Sequence, residues 1–403
     1  MSPPPRPPPA LLDELVEEAL LRVPPDDPAS LVRASLVCKL WHRIISGRHF
    51  RRRYREFHPS PPMLGFFYHK SPRATRFMPT STFRLPRGDR ANWHAMDARH
   101  GRVVFHVPIS ASCFSGIFTD IRELIVLNLT TGEERRLPMP LGAHFSGTWN
   151  AAVVCAADGC DHLDCPSGGP FTIVFVCTHV LERLTSVCTF SSTTGSWSIA
   201  VSFEHPKGYV AHRSALVGNT LYFILRLCNQ ILGYDLGSQE LSVIGSPSLS
   251  RTETETEEVW ADPFTTEDGR LGIAMFDAPK FHLWSTETGL HGHAEWVQQR
   301  VFELDKLPPD GPFGITPLFC GTVDKNCVIF VGTRDGLFTV DLKSGRVRNL
   351  LEDHGICDIV PYMSFSTPTS LQANKLLMED EVRRLIISCY PREPSCESKE
   401  LWT

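Results

Sequence analysis

From Leu11 to Val23 the apolar residues Leu11, Leu12, Leu15, Val16, Ala19, Leu20 and Val23 recur at three- and four-residue spacing, while Asp13, Glu14, Glu17 and Glu18 collect on the other side. This predicts an amphipathic helix with an acidic first turn and Arg22 at its end, as the helix dipole favours. Pro24 and Pro25 stop it, because proline lacks the amide donor and crowds the preceding turn. Asp27 followed by Pro28 reads as an N-cap and first helical residue, opening a second helix through Leu31, Val32 and Leu36. A third helix turns Val37, Trp41, Ile44 and Ile45 inward and Lys39, His42 and Arg43 to water. Three short helices in residues 11–50 carry more large apolar side chains than so small a unit can bury, so a partner or the rest of the chain must cover some of them.

Beyond residue 62 the period changes from helical to alternating. One unit keeps returning: an apolar run, a short turn with glycine, and a second run of alternating polarity. It spans Glu123–Pro138 (turn Gly132), Val187–Ile199 (Gly195), Ile231–Val243 (Gly237) and Leu337–Leu350 (Gly345), with a looser copy from Phe281 to Gly289 and a return strand near Trp296–Leu304. The glycines are expected to supply the positive φ of a tight hairpin. A further strand precedes most hairpins, at His100–Val107, Gly218–Leu225, Gly269–Phe276 and Asn326–Gly332. Repetition at a period of roughly fifty residues points to a kelch-like propeller of about six blades; a pair of β-sandwiches is the alternative. Met63–Tyr68 is a plausible early strand for closing the ring, and residues 371–387 carry helical spacing at Leu377, Met378, Val382, Leu385 and Ile386. The fold class is therefore α+β and multidomain, with a leader over 1–10, helices over 11–50, a basic and proline-rich hinge over 51–62, a mostly-β domain over 63–370 and a helical tail over 371–403.

Composition sharpens this picture only a little. A net charge of -5 gives no bulk attraction to nucleic acid or membrane. There is no run of eighteen apolar residues and no signal-peptide core after Met1 and Ser2. Thirteen cysteines are scattered singly through apolar runs, which reads as reduced, buried thiols and a cytosolic or nuclear setting. The Pro3–Pro9 tract reads as a disordered spacer. The basic run Arg51, Arg52, Arg53, Tyr54, Arg55 reads as a solvated helix end, and Pro59, Pro61 and Pro62 as a stiff hinge.

The N-terminal segment resembles the F-box, the adaptor-binding module of SCF-type cullin–RING ubiquitin ligases. The resemblance rests on Leu11, Glu14, Leu15, Leu20, Val23, Pro24, Leu31, Val32 and the cluster Val37, Cys38, Lys39 and Trp41. Leu12 stands where proline is usual, which is expected to loosen the docking turn; Ala19 stands where isoleucine is usual, which is expected to remove contact area. The second domain resembles the β-propeller-like domain of large plant F-box families, through His100-Gly-Arg-Val and the hairpins ending in Thr-Gly or Ser-Gly.

These resemblances imply a non-catalytic substrate receptor for ubiquitin-dependent protein degradation. Leu11, Leu12, Leu15, Leu20, Val23, Pro24, Leu31, Val32, Val37, Cys38, Trp41 and Ile44 would bind a Skp-type adaptor and, through it, a cullin–RING scaffold. The propeller would hold an unknown target protein; no cofactor, nucleic acid or membrane is expected. A non-ligase scaffold with a degenerate F-box is the alternative, and a propeller enzyme a third reading.

Candidate chemistry is thin. Cys155, Cys160, His162 and Cys165 could complete a tetrahedral zinc shell. All four crowd into one short loop, however, and Cys155 looks like the core-facing end of a strand, so a plain inter-strand connection is the expectation. No phosphate cradle, nucleophile elbow or H-E-x-x-H is present. His282, His291 and His293 lie near Trp284 and Trp296 without a spaced carboxylate partner. The acidic run Thr252–Glu258 reads as a solvated loop.

Overall fold

The computed structural model describes residues 12–365 apart from 59, 72–73, 86–87, 89, 91, 109–120, 130, 141–147, 163–164, 166–167, 206–207, 228–229, 248–259, 278–279, 289–293, 305–317, 324–327, 334–335, 353–355 and 357. Leu11, the Pro3–Pro9 leader, the acidic run at 252–258, His291, His293 and the expected helix at 371–387 lie outside the described residues.

Four helices come first, one more than the sequence pattern predicts. The first is α1 (Asp13–Leu21), and its N-cap, Leu12, takes φ -61° and ψ 140°. In α2 (Pro28–Ser35) the Asp27 carboxylate caps the first turn, accepting the Ala29 N–H at 3.2 Å and the Ser30 hydroxyl at 2.7 Å. Gly47, extended at φ -68° and ψ 142°, separates α3 (Lys39–Ser46) from α4 (Arg48–Phe57).

Helix α4 absorbs most of what reads as a hinge. Phe50 and Tyr54, four residues apart on one face, are each 1% exposed and join Val16, Leu20, Leu21, Leu31 and Ile45 in the helical core. The Tyr54 hydroxyl donates to the Val23 carbonyl at 2.8 Å, and Arg53 donates to Glu17 and Glu18 of α1.

The remainder is a ring of six sheets, as the fifty-residue period predicts. The chain enters through β1 (Met63–Ser71) and β2 (Ala74–Pro79). Blade 2 holds β3 (His94–Arg99), β4 (Arg102–Pro108), β5 (Ile121–Asn128) and β6 (Glu134–Leu137). Blade 3 holds β7 (Thr148–Cys155), β8 (Phe171–His179) and β9 (Leu184–Ser191), whose outer edge pairs with two short strands, β10 (Ser196–Trp197) and β11 (Val201–Glu204). Blade 4 holds β12 (Tyr209–Val217), β13 (Thr220–Arg226), β14 (Gln230–Asp235) and β15 (Leu241–Gly245). Blade 5 holds β16 (Trp260–Thr265), β17 (Leu271–Asp277), β18 (Lys280–Thr288) and β19 (Ala294–Glu303); blade 6 holds β20 (Leu318–Val323), β21 (Val328–Gly332), β22 (Leu337–Asp341) and β23 (Val347–Leu351).

The last strand, β24 (Asp358–Met363), returns to pair antiparallel with β1, with Phe67 opposite Val360 and Tyr68 opposite Ile359. Blade 1 is thus built from both ends of the domain, and the expected closing role of Met63–Tyr68 holds. The innermost strands β3, β7, β12, β16, β20 and β24 pack each on the next around the axis.

Because every blade is covered on both faces, successive residues of a strand serve different neighbours. Phe66 packs with Phe330 and Leu337 of blade 6, whereas Phe67 packs with Phe105 and Ile125 of blade 2. Four further inter-blade contacts of this kind make six apolar cores that close the ring, which excludes the sandwich alternative. Gly237 does not play its expected part: the positive φ of that turn, 59°, falls on Gln239.

Candidate functional site

The residues singled out in the helical unit divide by exposure. Leu20, Leu31 and Val32 are 3%, 1% and 6% exposed and build the core, so they present no surface to a partner. Val23, Trp41 and Ile44 are half-buried against that core. Leu12, Leu15 and Val37 stand 66%, 56% and 64% exposed, and Pro24 and Cys38 are exposed as well. Leu36, which the helical pattern assigns inward, is 46% exposed and joins them. The result is an unpartnered set of aliphatic side chains at the start of α1 and at the corner between α2 and α3. Asp13 and Arg43 tie these two places together with a 3.1 Å ion pair between α1 and α3.

Neither departure from the family pattern distorts this surface. Leu12 already holds a φ near the value a proline ring imposes, so the docking turn has the same backbone without the ring. Ala19 is exposed, so its small side chain leaves the helix packing intact and only trims the outer face.

Residues 10–53 match the family model of the F-box domain. This segment is an F-box. Among curated proteins, none matches the chain. Among solved structures, the chain is similar to a functionally unknown protein from Desulfotomaculum acetoxidans, at 10% identity over 74% of this chain and 85% of that one, with a TM-score of 0.39. A protein from Lactobacillus plantarum matches at 9% identity over 74% and 99%, with a TM-score of 0.40. The WD40 domain of SCAP from fission yeast matches at 11% identity over 69% and 56%, with a TM-score of 0.37.

The F-box is fastened to the propeller rather than strung from it. Phe365, two residues beyond β24, packs into the F-box core, with its ring 6.1 Å from Tyr54 and under the guanidinium of Arg55. Arg52 makes a 2.6 Å ion pair with Asp161 in the connection between β7 and β8, and also pairs with Glu56 one turn along α4 at 3.0 Å. Arg51 donates to the Ser46 carbonyl at 2.8 Å. The basic run is therefore spent on internal contacts, which no local sequence signal foretells.

Beside these contacts the innermost strands β3, β12, β16 and β24 end at a cavity of about 440 Å3 that includes Pro61, Asp97, Arg99, His100, His162 and Arg213 in its lining. Its charges are mutually satisfied across blades. Arg213 of β12 pairs with Asp262 of β16 at 3.1 Å and Asp358 of β24 at 2.7 Å. Arg99 of β3 pairs with Asp97 and donates to the Ser214 hydroxyl at 3.2 Å, while Asp97 accepts the Val153 N–H of β7 at 2.8 Å. Full burial pushes the Asp262 carboxyl up to about 6, with Arg213 pulling the other way. These groups knit the blades together. His282 lies elsewhere, on β18, against Gln298 at 2.9 Å.

The four sulfur and imidazole groups do come together. Cys155, Cys160, His162 and Cys165 place one donor atom each within 4.8 Å of all the others. Cys155, at the end of β7, is half-buried rather than lost in the core.

Proposed function

We propose that the chain is the substrate-recognition subunit of an SCF-type cullin–RING ubiquitin ligase. The observation that carries this is an F-box whose own core is complete, yet which leaves Leu12, Leu15, Leu36 and Val37 bare. Covering a leucine or valine is worth about 1.5–3 kcal/mol each, so a complementary adaptor groove has ample apolar surface to work with. The adaptor is of the Skp type, and through it the chain joins a cullin–RING scaffold. The period of the blades and their repeated turn support the kelch-like assignment and the kinship with plant F-box-associated propellers.

The propeller holds the target on the face away from the F-box. Strands β3, β12, β16 and β24 end at the cavity beside the F-box and therefore begin on the opposite face. That far face carries the turns with exposed Leu181 and Leu227, at 89% and 52%. A target seated there is presented away from the adaptor, and the chain acts by raising the effective concentration of a lysine near a charged ubiquitin carrier. It does no covalent chemistry itself.

The test is a three-component capture. Immobilised full-length chain is expected to retain a cullin–RING scaffold only when a Skp-type adaptor is added. Retention of neither adaptor nor scaffold by the folded chain would move the assignment to a non-ligase interaction scaffold.

A further inference from the structure

We propose that Cys155, Cys160, His162 and Cys165 form a structural zinc site that staples the connection between β7 and β8 and, through it, steadies the F-box. The geometry is that of a tetrahedral shell. Zinc–sulfur bonds of about 2.3 Å and zinc–nitrogen bonds of about 2.0–2.1 Å place the ligand atoms about 3.8 Å apart for two sulfurs and about 3.6 Å for sulfur and nitrogen. The Cys160 and Cys165 Sγ atoms are 3.8 Å apart, and Cys165 Sγ lies 3.7 Å from His162 Nδ1. Three thiolates and one imidazole are a donor set that selects zinc over magnesium, calcium or manganese.

The connection has little else to hold it. None of the described residues between 156 and 170 is buried, so no apolar core offsets the cost of ordering it. Two left-handed residues, Gly159 at φ 63° and His162 at φ 60°, fold it back so that three ligands meet the fourth at the end of β7. A non-glycine residue in that conformation is retained where its surroundings hold it, and ligation would do so for His162.

The surroundings supply the outer contacts a zinc site uses. His100 Nδ1 lies 3.3 Å from Cys165 Sγ, in position to donate an N–H to a thiolate. Arg102, 3% exposed, lies within electrostatic reach of Cys155 and Cys165, and donates to the Gly169 carbonyl at 2.6 Å. Its charge offsets the net negative charge of a zinc ion bearing three thiolates. Asp161, between two of the ligands, makes the ion pair with Arg52 of α4. Ligation would therefore fix a propeller loop on which that helix leans.

The experiment uses the full-length chain purified under reducing conditions without added metal, with zinc measured by mass spectrometry. One zinc per chain is expected, and its complete loss in a Cys160→Ser/Cys165→Ser variant, with a Cys188→Ala variant keeping its zinc. Because the double variant could fail to fold, the wild type stripped with a chelator is also titrated with cobalt(II). Intense visible d–d bands of a tetrahedral thiolate complex, saturating at one equivalent and bleached by zinc, are expected. A zinc-free wild type that also gives no such bands would overturn the proposal. So would zinc retained by the double variant, or an intact mass showing Cys160 and Cys165 joined as a disulfide in the reduced preparation.

Discussion

Asn128, Ser191, Asp235 and Asp341 open the outer turns of blades 2, 3, 4 and 6, and each accepts backbone N–H groups from the turn with its side-chain oxygen. Asp235 takes Gly237 and Ser238 at 2.9 and 2.8 Å, and Asp341 takes Lys343 and Ser344 at 2.9 Å each. Four residues after the opener, the chain turns left-handed at Gly132, Gly195, Gln239 and Gly345. Glycine suits that conformation and glutamine does not, at a cost of about 1–2 kcal/mol, partly offset by the freedom glycine gains when unfolded. Gln239→Gly is thus expected to stabilise the chain by about 0.5–1 kcal/mol, and Gly345→Gln to destabilise it by a similar amount. Urea midpoints at unchanged slope measure both; a Gln239→Gly variant less stable than wild type would refute the turn analysis. Sequence pattern finds the device but misplaces it in blade 4, because Gly237 is the visible glycine. Its actual constraint is different: a Cβ there would stand 2.9 Å from the Asn219 amide nitrogen.

At the scale of elements, helix α1 shows how a surface departs from a family pattern without losing its shape. Ala19 lies on the exposed side of α1, so Ala19→Ile adds apolar area to the outer face and none to the core. With about half of that addition buried on docking, adaptor affinity is expected to rise several-fold, or about 1 kcal/mol. Surface plasmon resonance with immobilised adaptor reads this directly, and unchanged or weaker binding would place Ala19 outside the interface. The helices α1 to α3 are legible in advance because their apolar residues recur at helical spacing between proline stops. Helix α4 is not, since its buried face consists of Phe50 and Tyr54 among seven charged or histidine neighbours, and Pro59–Pro62 suggests a hinge. The hairpins of the propeller are legible from their turns. The innermost strands are harder, because Arg213 of β12 and Asp262 of β16 pair as charges across blades where the pattern expects apolar residues. The end of β7 is hardest: alternation puts Cys155 in the core, and only the position of the following loop brings its sulfur to Cys160 and Cys165.

For the whole molecule, closure and docking are one construction. Strand β24 seals the ring by pairing with β1, and the chain then places Phe365 in the F-box core within two residues. The F-box is thereby held against the mouth where the innermost strands end, with Asp161 and Arg52 as a second point of attachment. Under the proposed function, F-box helices held at a fixed offset from the propeller suit transfer by proximity, since a loose tether would dilute the effective concentration. Everything in this arrangement depends on the bare aliphatic residues of the F-box meeting an adaptor. Isothermal titration of a Skp-type adaptor into the full-length chain, and into a Leu15→Ala/Val37→Ala variant, tests that dependence. Both side chains are more than half exposed, so the variant keeps its core and its circular dichroism. Saturable one-to-one binding by the wild type, weakened by about 2–4 kcal/mol in the variant, is the expected result. Equal binding by the two chains, or no binding by a folded wild type, would contradict the assignment of this surface to the adaptor.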